Sequence, residues 1–471
     1  MPTRRHFLQG LGAAGLAALA APRLAHAGLG GAVFGCQTYK VLHIYLHGAL
    51  SHRETLWVDD DSHGWAPWRE PADLGNINFL AGGATRTPFA NTTDHQVSLG
   101  EGLYPLVGAG WGHRLRVVAM STPSPEVHRI ASGTSLAGIE VGRPGFASLA
   151  ARMLARHGPD DPYASFVIDA LGSPVVSRYA VTAQGLSGGS EPVVLPVGGA
   201  GSDFLADLQR GDRDHVDGLL GLYRNRYSDA LRHPTDGALR SKGFDTYATA
   251  VDRLRNWPGL HDRLQAVPSF AVEGDEPWSE TVQGIEVATH LLSTGARHVT
   301  VLGAGANAGT LDTHALGDIG EFAVHAERHN GFLWHVSVAL LAAIAEGRLD
   351  PANTLVVLHS EFGRAQRNNG TEHHGKGYAA LLFGGPVQQS GVAGRLDFSN
   401  DAEGIAVDGY TPADLIAAAS LAGGIAPLQP GMFDRSHLSH PGANDDEAVA
   451  NLAYGLLGAV DETCVIDDIA G

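Results

Sequence analysis

Lysine is nearly missing from this sequence: Lys40, Lys242 and Lys376 stand alone, so arginine carries almost all the positive charge. Lysine and arginine together number 32 against 50 acidic residues, a formal charge of −18. A chain of that sign repels phosphate backbones, which excludes general nucleic-acid binding and leaves room for a local cationic pocket only. Cysteine is scarce too. Cys36 and Cys464 either pair in an oxidising compartment or remain buried thiols. No apolar run reaches the roughly 20 residues of a membrane-spanning helix, so stable membrane insertion is not expected. Charged residues make up only 17% and hydrophobic ones 44%, which excludes disorder as the main state and supplies a sizeable core. Glycine is abundant but has no triplet period, so the chain is not collagen-like.

The N-terminus reads as an export address. Thr3-Arg4-Arg5-His6-Phe7-Leu8 is a twin-arginine start, followed by a weakly apolar stretch from Leu11 to Ala21 and a small-residue cleavage site at Ala25-His26-Ala27. Residues 1–27 are therefore expected to be a signal read by the Tat translocase, and the mature protein to be periplasmic or secreted.

Beyond the signal, strand and helix patterns alternate. Lys40 to His47 reads as a buried strand ending in a loop, with His43 as a packed strand residue. Leu115 to Met120 is a second strand, with a helix opening near Glu126. Gly145 to Arg156 reads as a helix and Phe166 to Asp169 as a short strand. Residues 203–264 read as a helical insert without a chemical motif. A helix over Val282 to Ser293 precedes the strand Arg297 to Leu302. A long helix, about Ile319 to Glu346, then leads to strands Thr354 to His359 and Tyr378 to Phe383. This alternation predicts an α/β fold, a mostly parallel sheet with helices on both faces over residues 28–430, followed by a C-terminal tail over 431–471. Gly303-Ala304-Gly305 lacks the third glycine and the following helix of a dinucleotide loop, so nucleotide binding is not expected there.

The informative pattern is where Asp, Glu and His fall. His52 and Glu54 follow the first strand. Asp312 and His314 follow the strand ending at Leu302, Glu361 follows the next, and His373 lies in the loop beyond. Loops after successive parallel strands converge on one edge, where binding sites of open α/β sheets form. Carboxylate and imidazole together suit a divalent metal ion whose identity they leave open.

Asp312-Thr313-His314, Glu361-Phe362-Gly363-Arg364 with Asn368, and Glu372-His373 resemble a large bacterial family of Tat-exported proteins. It is known as domain of unknown function fifteen-oh-one and is placed in the alkaline phosphatase/sulfatase superfamily. Ser51-His52-Arg53-Glu54-Thr55 looks like that family's first loop, and Gly394-Arg395 with Thr411-Pro412-Ala413-Asp414 also fit. The resemblance spans roughly residues 38–426. It implies an alkaline phosphatase-like fold with Glu54, Asp312, His314, Glu361 and His373 as metal ligands. Glu54 and Glu372 stand where the family usually has Asp, and Gly303 to Gly309 is an added stretch.

Sulfatase-like members place the nucleophile at a helix start, ten residues before a glycine. Counting back from Gly138 gives His128, read as an unusual nucleophile or general acid, or as a metal ligand. Ser124, Ser132 and Thr134 are neighbouring hydroxyl candidates. Arg364 and Lys376 are candidates to hold the non-bridging oxygens of an ester, and for Arg364 pairing with an acidic neighbour is the competing role. The expectation is an exported metal-dependent hydrolase of a small anionic phosphate or sulfate ester. The alternative is a non-catalytic exported binding or assembly protein that keeps the fold. Oligomeric state is not legible in the sequence.

Overall fold

The first strand, β1 (Lys40–Leu46), is apolar on both of its faces because both are covered. Val41, His43 and Tyr45 point to one side of the sheet, and Leu42, Ile44 and Leu46 to the other, as the two-residue period of a strand requires. The computed structural model describes residues 39–52, 55–59, 87–90, 96–123, 127–140, 143–157, 163–172, 174–181, 192–197, 257–267, 272, 276–304, 311–312, 322–366, 372–397, 404–428 and 432–458. The expected signal over 1–27 and residues 203–256 of the expected helical insert lie outside the described residues; the remainder of that insert falls in the helix Trp257–Gln265.

In chain order the main strands after β1 are β2 (Leu115–Ser121), β3 (Ser165–Asp169), β4 (Val193–Pro196), β5 (His298–Gly303) and β6 (Thr354–Ser360). A hairpin of β7 (Gly363–Gln366) and β8 (Glu372–Gly375) follows, then β9 (Gly377–Gly384) and β10 (Gly391–Ala393). The eight-stranded sheet has the order β10-β2-β9-β6-β1-β5-β3-β4. Its pairings are parallel except those of β9, which runs against both β2 and β6. The sheet is therefore mixed but mostly parallel.

Two cores flank it. On one face Leu42, Ile44, Val299, Val301, Val356 and Leu358 meet Ile285 and Leu292 of α1 (Ser279–Ser293) and Phe332 and Val336 of α2 (Phe322–Ala345). On the other, Val41, Leu355, Val357 and Leu382 meet Leu415 and Ile416 of α3 (Pro412–Ala422) and Val449 and Leu452 of α4 (Asp445–Leu452). Helix α3 starts sharply because Thr411 and Asp414 form a capping box, with Pro412 at the first helical position. Residues from the expected C-terminal tail, among them Phe433, Leu438 and Val449, are part of this second core.

One further helix matters for the site: α5 (His128–Ala137), which follows β2 and packs Leu136 near Tyr45 and Val167. It ends at Gly138, whose φ of 85° lies in the left-handed region favoured at a helix C-terminus. A Cβ there would sit 2.8 Å from the Phe433 ring. Register fixes where the strands end: Leu46 pairs with Gly303 on one side and Ser360 on the other. The chain therefore leaves β1, β5 and β6 at one edge.

Candidate functional site

At that edge the chain turns out of β1 through His47, Gly48 and Ala49. Gly48 has φ +107° and Ala49 +63°, so the turn passes through the left-handed region twice. Glycine enters it freely, whereas for Ala49 it costs on the order of 1 kcal/mol. A Cβ on Gly48 would lie 2.9 Å from the backbone nitrogen of Asp312, so the loops after β1 and β5 are in direct contact.

Arg364 of β7 holds this arrangement. Its side chain is 1% exposed. One terminal nitrogen donates to Gly48 O at 2.7 Å and to Asp312 Oδ1 at 2.7 Å, while Nε reaches the carbonyls of Gly48 and Ala49 at 3.2 and 3.3 Å. The planar guanidinium suits such a multi-armed role.

Glu361, the residue after β6, is fully buried and sits at the centre. Its Oε1 accepts from Gly48 N at 2.8 Å and from His128 Nδ1 at 2.6 Å, and lies 3.4 Å from His47 Nδ1. Its Oε2 is 3.1 Å from the Tyr45 hydroxyl. That hydroxyl is also 2.7 Å from Ser132 Oγ, which in turn lies 3.1 Å from His47 Nδ1. Ser132 is one helical turn beyond His128, on the same side of α5.

Electrostatics follow the contacts. Burial pushes the Glu361 carboxyl up, but His47, His128 and the Gly48 N–H outweigh it and bring the pKa down to about 2. Burial disfavours a charged His128, yet its hydrogen bonds with Asp312 and Glu361 prevail and raise it to about 9. Asp312 loses solvation too, but His128 and Arg364 hold it well below the usual carboxylate range. At neutral pH Glu361 and Asp312 are thus ionised and His128 is an imidazolium, beside the Arg364 guanidinium.

His47, His128 and Glu361 each offer a ligand atom, and these atoms lie within 4.8 Å of one another. Two imidazoles and a carboxylate form a donor set that fits a divalent ion such as zinc or manganese. Asp312 stands beside this group, its carboxylate oxygen 3.5 Å from His128 Nε2, with its side chain 49% exposed.

The residues expected from sequence fall as follows. Glu361, His128, Arg364 and Asp312 come together. Glu54 and His314 lie outside the described residues, as does Ser124. His373 lies in β8 with its backbone opposite Ala365; its side chain is not among those described. Lys376 is exposed at the junction of β8 and β9, where its carbonyl accepts from Thr122 N. In the sequence His47 is only the last residue of a strand pattern. The signal available was its position at the carboxyl end of β1, just before Gly48.

An α/β sheet with a histidine–carboxylate cluster at the carboxyl edge of its strands describes the class. The chain belongs to the family described as "Protein of unknown function (DUF1501)", whose model matches residues 38–429. No curated protein matches it. Among solved structures it is similar to an alkaline phosphatase from the Antarctic bacterium TAB5, at 10% identity over 76% of this chain and 94% of that one, with a TM-score of 0.32. A mutant of the TAB5 alkaline phosphatase with Mg bound shares 11% over 74% and 91%, at a TM-score of 0.28. The crystal structure of Ps i-CgsB shares 10% over 86% and 74%, at 0.33.

Proposed function

We propose that this chain is an exported metal-dependent hydrolase of a small phosphate or sulfate ester. The observation that carries the reading is the convergence of His47, His128 and Glu361 at one sheet edge, beside Asp312 and Arg364. A divalent ion there would act as a Lewis acid on an ester oxygen and lower the pKa of a bound water. The chain's own groups have separable tasks. His128, between Glu361 and Asp312, would lend a ring nitrogen to that ion while its contact with Glu361 fixes the ring. Helix α5 begins without a side-chain cap, so its first-turn N–H groups and its dipole favour an anion. Arg364, tied to Gly48 and Asp312, positions loops and supports the site from beneath.

A second reading, a non-catalytic exported binding or assembly protein that retains the fold, is favoured by one observation. Ser132, the hydroxyl one turn from His128, is wholly buried and so closed to substrate. Metal analysis of the purified mature protein, followed by assay against aryl phosphate and aryl sulfate esters, separates the two. Bound metal with turnover of either ester supports the hydrolase; no metal and no turnover leaves the binding protein. Export is tested separately, by replacing Arg4 and Arg5 with Lys, which should retain the precursor in the cytoplasm. Among the described residues no helix is long and apolar enough to cross a membrane.

A further inference from the structure

Four polar groups close a ring under the site. Going round it, His47 Nδ1 is 3.1 Å from Ser132 Oγ, Ser132 Oγ is 2.7 Å from the Tyr45 hydroxyl, and that hydroxyl is 3.1 Å from Glu361 Oε2. The ring closes with Glu361 Oε1, 3.4 Å from His47 Nδ1. Tyr45, Ser132 and Glu361 are all fully buried, so the protons within the ring must satisfy one another.

The count of protons sets a direction. A serine and a tyrosine hydroxyl each hold one proton and can also accept, whereas an ionised carboxylate only accepts. Glu361 Oε1 already receives Gly48 N–H and His128 Nδ1–H. The phenol proton of Tyr45 therefore belongs on Oε2. Ser132 then gives its proton to the phenol oxygen, and the remaining contact requires His47 Nδ1–H to donate to Ser132. Run the other way, the chain would aim a phenol lone pair at Oε2 and leave the Nδ1 lone pair facing Oε1. Both contacts would be repulsive.

We propose that Ser132 and Tyr45 are positioning residues that hold His47 in its Nδ1–H form, so that Nε2 carries the lone pair offered to a divalent cation. The cation rests on the hydrolase reading; the tautomer does not. A histidine whose second nitrogen is held by a hydrogen-bond partner is fixed in both orientation and ligating atom, and losing that partner costs about 10- to 100-fold in metal affinity elsewhere.

The test is nitrogen-15 NMR of histidine-labelled, chelator-treated full-length protein, with the His47 signal assigned by its loss in His47→Gln. The expected result is a protonated Nδ1 on His47 in wild type and in Ser132→Thr, which keeps the hydroxyl. Ser132→Ala should shift His47 toward the Nε2–H form and weaken manganese binding about tenfold. Should Ser132→Ala fail to fold, Tyr45→Phe removes only a hydroxyl from the same ring and should move the tautomer in the same direction. Wild-type His47 protonated on Nε2, or a tautomer unmoved in the variants, overturns the proposal. Absence of any cation binding alongside the expected tautomer overturns the hydrolase reading alone.

Discussion

His128 Nδ1 donates to Glu361 Oε1 across 2.6 Å, joining the first residue of α5 to the end of β6 over 233 positions of chain. Both partners are ionised, one raised to about 9 and the other lowered to about 2, so this is a charge-assisted hydrogen bond inside the protein. Such a pair is costly to break from one side, because the partner left behind keeps a buried charge without its counterpart.

Glu361→Ala should therefore lower stability by roughly 3–5 kcal/mol. It strands His128 and also leaves the Gly48 N–H and the Tyr45 hydroxyl without their acceptor. Glu361→Gln keeps the volume and one acceptor oxygen and should cost less. Urea unfolding with an unchanged m-value reads the difference as a shift in midpoint. An alanine variant with the wild-type midpoint would remove the carboxylate from the centre of the site.

Much of this was legible because strand and helix periods are strong where the core is. The pattern of Val41 to Leu46 specifies a doubly covered strand, and the order of Asp312 and Glu361 after successive strands specifies a shared edge. The hidden part concerns contacts made by turns. Nothing in the local sequence says that Gly48 and Ala49 turn their carbonyls toward Arg364. Nor does it say that a strand-end histidine joins a cluster, since His43 and His47 look alike in the same alternation. His43 is buried beside His359, while His47 is one residue past the sheet and faces Glu361.

Stability should depend on pH from both sides. Burial brings His298 down to about 3 and His359 to about 4, and burial together with the neighbouring His359 holds His43 well below the usual imidazole value. These three stay neutral in the folded protein but take up protons at the ordinary pKa, about 6.5, when unfolded. Stability therefore falls as pH drops below about 6.5, by roughly 1 kcal/mol per pH unit for each histidine, until its folded pKa is reached. His128 has the opposite sign. Its contribution is complete below about 6.5 and is lost as pH rises through about 9. Unfolding midpoints should peak near neutrality, and His128→Gln should remove the alkaline decline while leaving the acid one. A midpoint that is flat between about pH 7 and pH 10 in wild type would mean that His128 is not held as an imidazolium.

Arg364→Lys should behave as a damaging substitution despite conserving charge. The guanidinium reaches Gly48 O, Ala49 O and Asp312 Oδ1 at once, and an ammonium on a flexible stem cannot serve all three from one buried position. A loss of about 2–4 kcal/mol is expected from the unmet carbonyls and the freed carboxylate. Faster amide exchange at Gly48 should accompany it, because the turn that presents its N–H to Glu361 is released. Wild-type protection at Gly48 in the lysine variant would show that the turn holds itself.

Cation content ranks the candidate ligands. The family resemblance implies Glu54, Asp312, His314, Glu361 and His373 as ligands, and His128 as a nucleophile or general acid or as a further ligand. The geometry changes the expected ranking, because ligand atoms of His47, His128 and Glu361 lie within 4.8 Å of each other, whereas Asp312 Oδ1 is taken up by Arg364 at 2.7 Å. His47→Ala and His128→Ala should each weaken manganese or zinc binding by at least about tenfold, since a methyl group replaces neither imidazole. Asp312→Ala should have a smaller effect on binding and a larger one on the ordering of the Gly48 turn, through the loss of its share of Arg364. Equilibrium dialysis with metal analysis measures the first, and amide exchange at Gly48 the second. If His47→Ala and His128→Ala bind the cation like wild type while Asp312→Ala loses it, the ligand set is the one gathered around Asp312 and the His47 cluster serves another purpose.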